Sequence, residues 1–211
     1  MTVSPEGKFI VLEGIDGSGL STQAARLVSA LAEQTGRKTL LTKEPTDGPA
    51  GLLIRQALSG RLRDIPAPGL ALLFAADRLD HLRNFILPAL ERGEIIVCDR
   101  YLWSSLAYQS LECDAAWVKE INRFARQPDL TLFLRVRPAV SLARIARSRS
   151  GTELFEKEEI LRRVLACFEN LLAAGRAEGL NAQAIDGEAS PETVTAELTR
   201  AAICLFAEQA L

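Results

Sequence analysis

Two rhythms of apolar positions alternate along the chain. Short runs of apolar and β-branched residues occur at 8–12, 38–42, 94–98, 130–136 and 182–185. Runs of that length, bounded by glycine, proline or charged residues, predict strands. Between them the apolar residues recur at helical spacing. Ala24, Leu27, Val28 and Leu31 do so until Gly36 ends the pattern, and helices are predicted at roughly 50–60, 67–91, 103–125, 138–147, 156–177 and 191–209 by the same periodicity. Strands separated by helices require right-handed crossovers, which build a parallel sheet covered on both faces. The prediction is an α/β fold. No repeat, low-complexity tract or linker divides the sequence, so residues 1–211 form one domain.

Composition narrows the class. With 25 Lys and Arg against 27 Asp and Glu, the net charge is -2, which argues against a nucleic-acid or membrane-surface partner. No basic and apolar leader opens the sequence, and no run nears the ~20 apolar residues of a membrane span. Cys98, Cys113, Cys167 and Cys204 are scattered, with a single histidine in the chain. That pattern supports neither a disulfide framework nor a zinc site, and the expected location is cytoplasmic.

The segment Gly14-Ile15-Asp16-Gly17-Ser18-Gly19-Leu20-Ser21-Thr22 carries the first chemistry. It fits G-x-x-x-x-G-K-[ST] except that Leu20 stands at the lysine. A strand enters and a helix leaves, so successive backbone N–H groups can surround a phosphate. Gly17 and Gly19 allow backbone angles and close approach that a Cβ would obstruct. Ser21 stands where a hydroxyl coordinates Mg²⁺. Read alone, the turn also fits a simple chain reversal.

Further strings follow in order: TKEP at 42–45, Ile-Arg at 54–55, LLFAADR at 72–78, CDRYLWSSLAYQ at 98–109, PDLTLFLRV at 128–136 and RIARSRSGTELFE at 144–156. In this order and spacing the chain resembles the thymidylate kinase family, which phosphorylates dTMP with ATP. The resemblance implies a P-loop NTPase three-layer α/β/α fold with a five-stranded parallel sheet, a short LID near 144–156, Mg²⁺ as cofactor, and a homodimer. It also implies roles. Arg100 bridges acceptor and donor phosphates, Asp99 orders Mg²⁺-bound water, and Arg55 contacts the acceptor phosphate. Phe74 and Arg78, one helical turn apart, hold the thymine ring. Ser104, Ser105 and Tyr108 line the base and sugar pocket, and Asp16 approaches the acceptor sugar. Arg144, Arg147 and Arg149 are LID arginines of the kind that close over a donor. Glu153, Phe155 and Glu156 turn toward the acceptor nucleoside. Lys43 stands where the family usually has arginine, and His81 reads as a packed or surface residue rather than a catalytic one. The Glu44-Pro45 bond is cis or trans, undecided by sequence.

Leu20 leaves two readings. Losing one preorganised cation costs about 10²–10³ in rate, so the chain is either a binding protein or has a replacement cation. The expected replacement is Arg135, where relatives carry aspartate, with Arg137 on the same side of the extended segment. Phosphorylation of dTMP leads; a kinase of another nucleoside monophosphate, or a regulatory nucleotide binder, remains open.

Overall fold

The computed structural model describes residues 6–148 and 154–207, without the side chains of residues 147, 148, 154–157 and 207. Five strands, β1 (Lys8–Gly14), β2 (Thr39–Lys43), β3 (Ile95–Asp99), β4 (Leu130–Arg135) and β5 (Ala182–Asp186), form one sheet in the order β2-β3-β1-β4-β5. Every pairing is parallel. Residue alternation splits the core in two, as the period of a strand requires. Phe9, Val11 and Phe133 face one layer, where Phe133 stacks on Phe168 with ring centroids 5.3 Å apart. Ile10, Leu12, Leu132 and Leu134 face the other, with Leu27 and Leu198.

The second layer is α1 (Leu20–Thr35) and α9 (Pro191–Ala207). α1 ends where Gly36 takes a left-handed φ of 65° and donates its N–H to Ala32 O, a common glycine stop. The first layer holds α5 (Leu102–Tyr108) and α8 (Leu154–Ala177). Two further helices, α2 (Pro49–Leu58) and α3 (Ala67–His81), follow β2. α3 runs through a π-helical turn at Leu82–Ile86 into α4 (Leu87–Glu91). The helix predicted over 67–91 is thus continuous, its register widened just ahead of Pro88.

The helix predicted over 103–125 is broken. A 3₁₀ turn at Gln109–Leu111 ends α5, and α6 (Ala115–Ile121) restarts where Asp114 accepts the Trp117 N–H at 2.8 Å. An aspartate N-cap favours a new helix start, which overrides the apolar rhythm. After β4 comes α7 (Pro138–Ser148). The parallel order brings the C-terminal ends of β1, β2, β3 and β4 to one edge, where open sheets hold ligands.

Candidate active site

β1 delivers its last residue, Gly14, into a loop that opens α1. Ser18 N–H donates to Ile15 O at 3.1 Å, closing the turn. Gly17 has φ of 75°, and a Cβ there would lie 2.8 Å from Ser141 O and from Ile145 Cγ1. The glycine therefore lets α7 press onto the loop, an approach sealed by the Ser141 hydroxyl donating to the Asp16 carbonyl. Gly19, at φ 96°, precedes α1 with no side-chain cap. Uncapped first-turn N–H groups leave the positive end of the helix open to an anion. Above it lies a cavity of about 550 Å³, lined by the loop with Lys43, Arg55, Asp99 and Arg100.

Two oxygen donors meet at its floor. Ser21 Oγ donates to Asp99 Oδ2 at 2.5 Å. Asp99 closes β3 and Ser21 lies in the first turn of α1, so their meeting follows from packing α1 across β3. A hydroxyl and a carboxylate suit a hard cation that keeps most of its other oxygens from water and phosphate.

Arg100 follows Asp99 with φ of 69°, a left-handed angle that costs an ordinary residue roughly 1–2 kcal/mol. That twist turns the guanidinium toward the loop. It donates to Gly14 O at 2.9 Å, to Ser104 Oγ at 3.3 Å and to Asp16 Oδ1 at 2.7 Å. It also sits 5.4 Å from the Tyr108 ring centroid. The Tyr108 hydroxyl accepts the Asp16 N–H at 3.1 Å, and burial pushes that phenol up to about 12. Beneath lies Glu13, the last residue but one of β1. It accepts from Ser104 Oγ at 2.6 Å, from Tyr101 N at 3.1 Å and from Ser104 N at 3.2 Å. Burial outweighs these donors and raises its carboxyl to about 7.

A second cavity of about 470 Å³ opens beside the first. Phe74, Arg78, Ser104, Ser105 and Tyr108 line it, and it shares Asp16, Glu44, Pro45, Leu58 and Arg100 with the phosphate-loop cavity. Arg78 is buried in its wall, ion-paired to Glu44 at 2.9 Å with only 1% of its side chain exposed. It also donates to Tyr101 O at 3.0 Å, to Ser105 Oγ at 2.9 Å and to Asn122 Oδ1. Its Nε–H has no partner among the described residues. Glu44 also meets His81 Nδ1 at 3.1 Å, and His81 Nε2 meets the Thr42 hydroxyl at 2.7 Å. The Glu44-Pro45 bond is cis.

Residues 12–198 match the family model for thymidylate kinase. A protein named probable thymidylate kinase in Pyrococcus abyssi (strain GE5 / Orsay) is 48% identical over 72% of this chain and 75% of its own length. A thymidylate kinase of Xanthomonas campestris pv. campestris (strain B100) is 37% identical over 98% of this chain and 88% of its own. The chain belongs to the thymidylate kinase family. It is therefore a nucleoside monophosphate kinase, and its five-stranded parallel sheet agrees with that fold.

Against that family pattern the structure sorts the expected residues. Residues 15–19 form the loop between Gly14 of β1 and the first turn of α1, which carries Leu20, Ser21 and Thr22, and Asp16, Arg55, Asp99 and Arg100 reach the loop's cavity. Arg55 is held by Asp47 at 3.2 Å and by the carbonyls of Pro45 and Thr46. Phe74, Arg78, Ser104, Ser105 and Tyr108 gather in the second cavity. Arg144 leaves α7 for the loop, donating to Ser18 O at 3.3 Å and Gly187 O at 2.9 Å. Arg149 and Glu153 lie outside the described residues, as do the side chains of Arg147, Phe155 and Glu156.

Arg135 takes no part in this assembly. It makes a two-point ion pair with Glu169 of α8, at 2.6 and 2.7 Å, and lines neither cavity. The strand's period sends it to the same face as Phe133, toward α8. Arg137 is likewise held by Glu188, at 2.6 Å. The expectation that they replace the loop lysine is corrected accordingly. Glu13, Glu44, Tyr101 and Asn122 build the site without having been singled out. A carboxylate inside the apolar run KFIVLEG was the one available sign, for Glu13.

Proposed function

We propose that the two cavities divide the substrates of the family reaction, the phosphorylation of dTMP by ATP. The phosphate loop takes the donor's phosphates, and the Phe74–Tyr108 cavity takes dTMP. One observation carries this reading: the cavities adjoin along Asp16, Glu44, Pro45, Leu58 and Arg100, and of these Arg100 is the cation placed to meet a phosphoryl group that crosses between them.

The acceptor is itself a phosphate, whose second pKa of about 6 leaves it ionised near neutrality. No general base is needed. An acceptor oxygen attacks the γ-phosphorus, the bond to the bridging oxygen breaks, and ADP departs with that electron pair. The protein's task is to align the two anions and balance their charge. Arg100, fixed by Asp16 and Gly14 O, meets the transferring group, with Arg55 on the acceptor phosphate. Phe74 stacks on the pyrimidine, the spare Arg78 Nε–H meets a base carbonyl, and Tyr108 closes the sugar side. Ser21 and Asp99 would hold Mg²⁺. Bound there, Mg²⁺ neutralises donor phosphate oxygens as charge redistributes. Arg144, which already reaches Ser18 O and Gly187 O, adds a cation on the donor side of the loop. A coupled assay of ADP release across a panel of nucleoside monophosphates tests the reading. Turnover is expected to be fastest with dTMP; equal rates with all acceptors, or none with any, would refute it.

Two copies are further proposed to pair through α3 and the π turn. Leu72, Leu79 and Phe85 leave an exposed apolar row there.

A further inference from the structure

We infer that Lys43, at the end of β2, supplies the positive charge that position 20 lacks, as a ligand of the donor's outer phosphates. The inference rests on the phosphate loop serving as the donor site.

Leu20 is not a vacant substitute for lysine. Its side chain is buried with Ala24, Leu27 and Ile10 in the core under α1, so position 20 contributes packing. Among the described residues, the arginines near the loop already have protein partners. Arg100 is paired with Asp16, Arg55 with Asp47, and Arg144 spans two carbonyls. Arg135 and Arg137 are paired elsewhere.

Lys43 differs from all of these. It lines the phosphate-loop cavity together with residues 15–22 and Asp99. It also lines a smaller cavity of about 430 Å³ with Ser21 and Asp99. Among the described residues it has no hydrogen-bond or ion-pair partner. Strand alternation sets its direction. Leu40 packs toward the α5–α8 layer and Thr42 bonds His81, so Leu41 and Lys43 take the opposite face, the one crossed by α1. Lys43 stands in register with Asp99, and Asp99 touches Ser21. β2 lies two strand spacings from β1, roughly 10 Å. A flexible four-carbon stem ending in a point charge can cross much of that gap. The family's usual arginine here is bulkier and forked. Lysine delivers the compact ammonium that a phosphate loop otherwise draws from its own helix.

The test begins with turnover of the unaltered protein on ATP and dTMP. Its absence would refute the donor-site reading itself and is distinguishable from failure of the present inference. With turnover established, Lys43→Met and Lys43→Arg are compared. The methionine variant is expected to lose about 10²–10³ in kcat. It should bind ATP more weakly, while titration calorimetry finds AMP and dTMP bound as before. Lys43→Arg is expected to recover at least tenfold of the lost rate. A Lys43→Met kcat within threefold of the unaltered protein would overturn the inference. So would an equal loss of ATP, AMP and dTMP binding, which marks a structural role.

Discussion

Replacing Arg78 by methionine keeps much of the stem and removes the guanidinium, leaving four groups without their donor. Glu44 loses its ion pair at 2.9 Å, in a place where both side chains are almost wholly buried. Tyr101 O, Ser105 Oγ and Asn122 Oδ1 lose hydrogen bonds, and the Tyr101 ring loses a cation 5.0 Å from its centroid. Breaking a buried ion pair by deleting one partner costs about 3–5 kcal/mol, because the other charge stays behind. The stability of a chain this size is about 5–15 kcal/mol. Near 200 residues each kcal/mol moves Tm by about 2–4 °C, so a fall of roughly 6–20 °C is expected by circular dichroism. Glu44→Gln combined with Arg78→Met should lose less than the two single changes together, since the stranded charge is gone. The same variant should raise KM for dTMP, because the wall of the acceptor cavity and its spare Nε–H go with the guanidinium. A Tm within 3 °C of the unaltered protein, with KM for dTMP unchanged, would refute this account of Arg78.

Two other features, the Glu13 carboxyl and the exposed face of α3, carry outcomes of their own. Burial lifts the Glu13 carboxyl from its ordinary 4.5 to about 7. Between those values the folded chain holds a proton that the unfolded chain has released, so stability falls by about 1.4 kcal/mol per pH unit as pH rises, and levels above 7. Urea unfolding from pH 4.5 to 8 should find this slope in the unaltered protein and not in Glu13→Gln; parallel slopes in both would contradict the assignment. For the proposed pairing of two copies, light scattering should report twice the chain mass, reduced to the single mass by Leu79→Glu. A single-chain mass for the unaltered protein would exclude it.

How far the sequence could be read depends on the range of the interaction. The strands, the loop and the long helix over 67–91 were legible because each is set by local rhythm and by glycine. The break near Asp114 was missed because a side-chain cap decided it against an apolar pattern that continued. Position 20 was read as a vacancy from the motif alone. That Leu20 belongs to the core depends on α1 packing over the sheet, which no short window contains. Arg135 illustrates the same limit. Its strand face was predictable, but its partner Glu169 lies 34 residues away on α8, and that contact decides where the guanidinium goes. Lys43 was noted only for its departure from arginine. Its importance appears once the sheet order sets β2 beside β3 and brings its last residue to Asp99. The carboxylate, amide, hydroxyl and carbonyl around Arg78 were invisible for a further reason: buried polar partners follow no period, and only the assembly of the segments carrying Glu44, Tyr101 with Ser105, and Asn122 brings them to it.

The central claim is that two substrate cavities meet at Asp16 and Arg100 and exchange a phosphoryl group there. Single-turnover transfer of label from γ-labelled ATP to dTMP tests this most directly, with Arg100→Ala beside the unaltered protein. The label is expected in dTDP, with a rate about 10²–10³ lower for Arg100→Ala while calorimetry finds dTMP still bound. Label recovered only as inorganic phosphate, or transfer by Arg100→Ala at the unaltered rate, would contradict it.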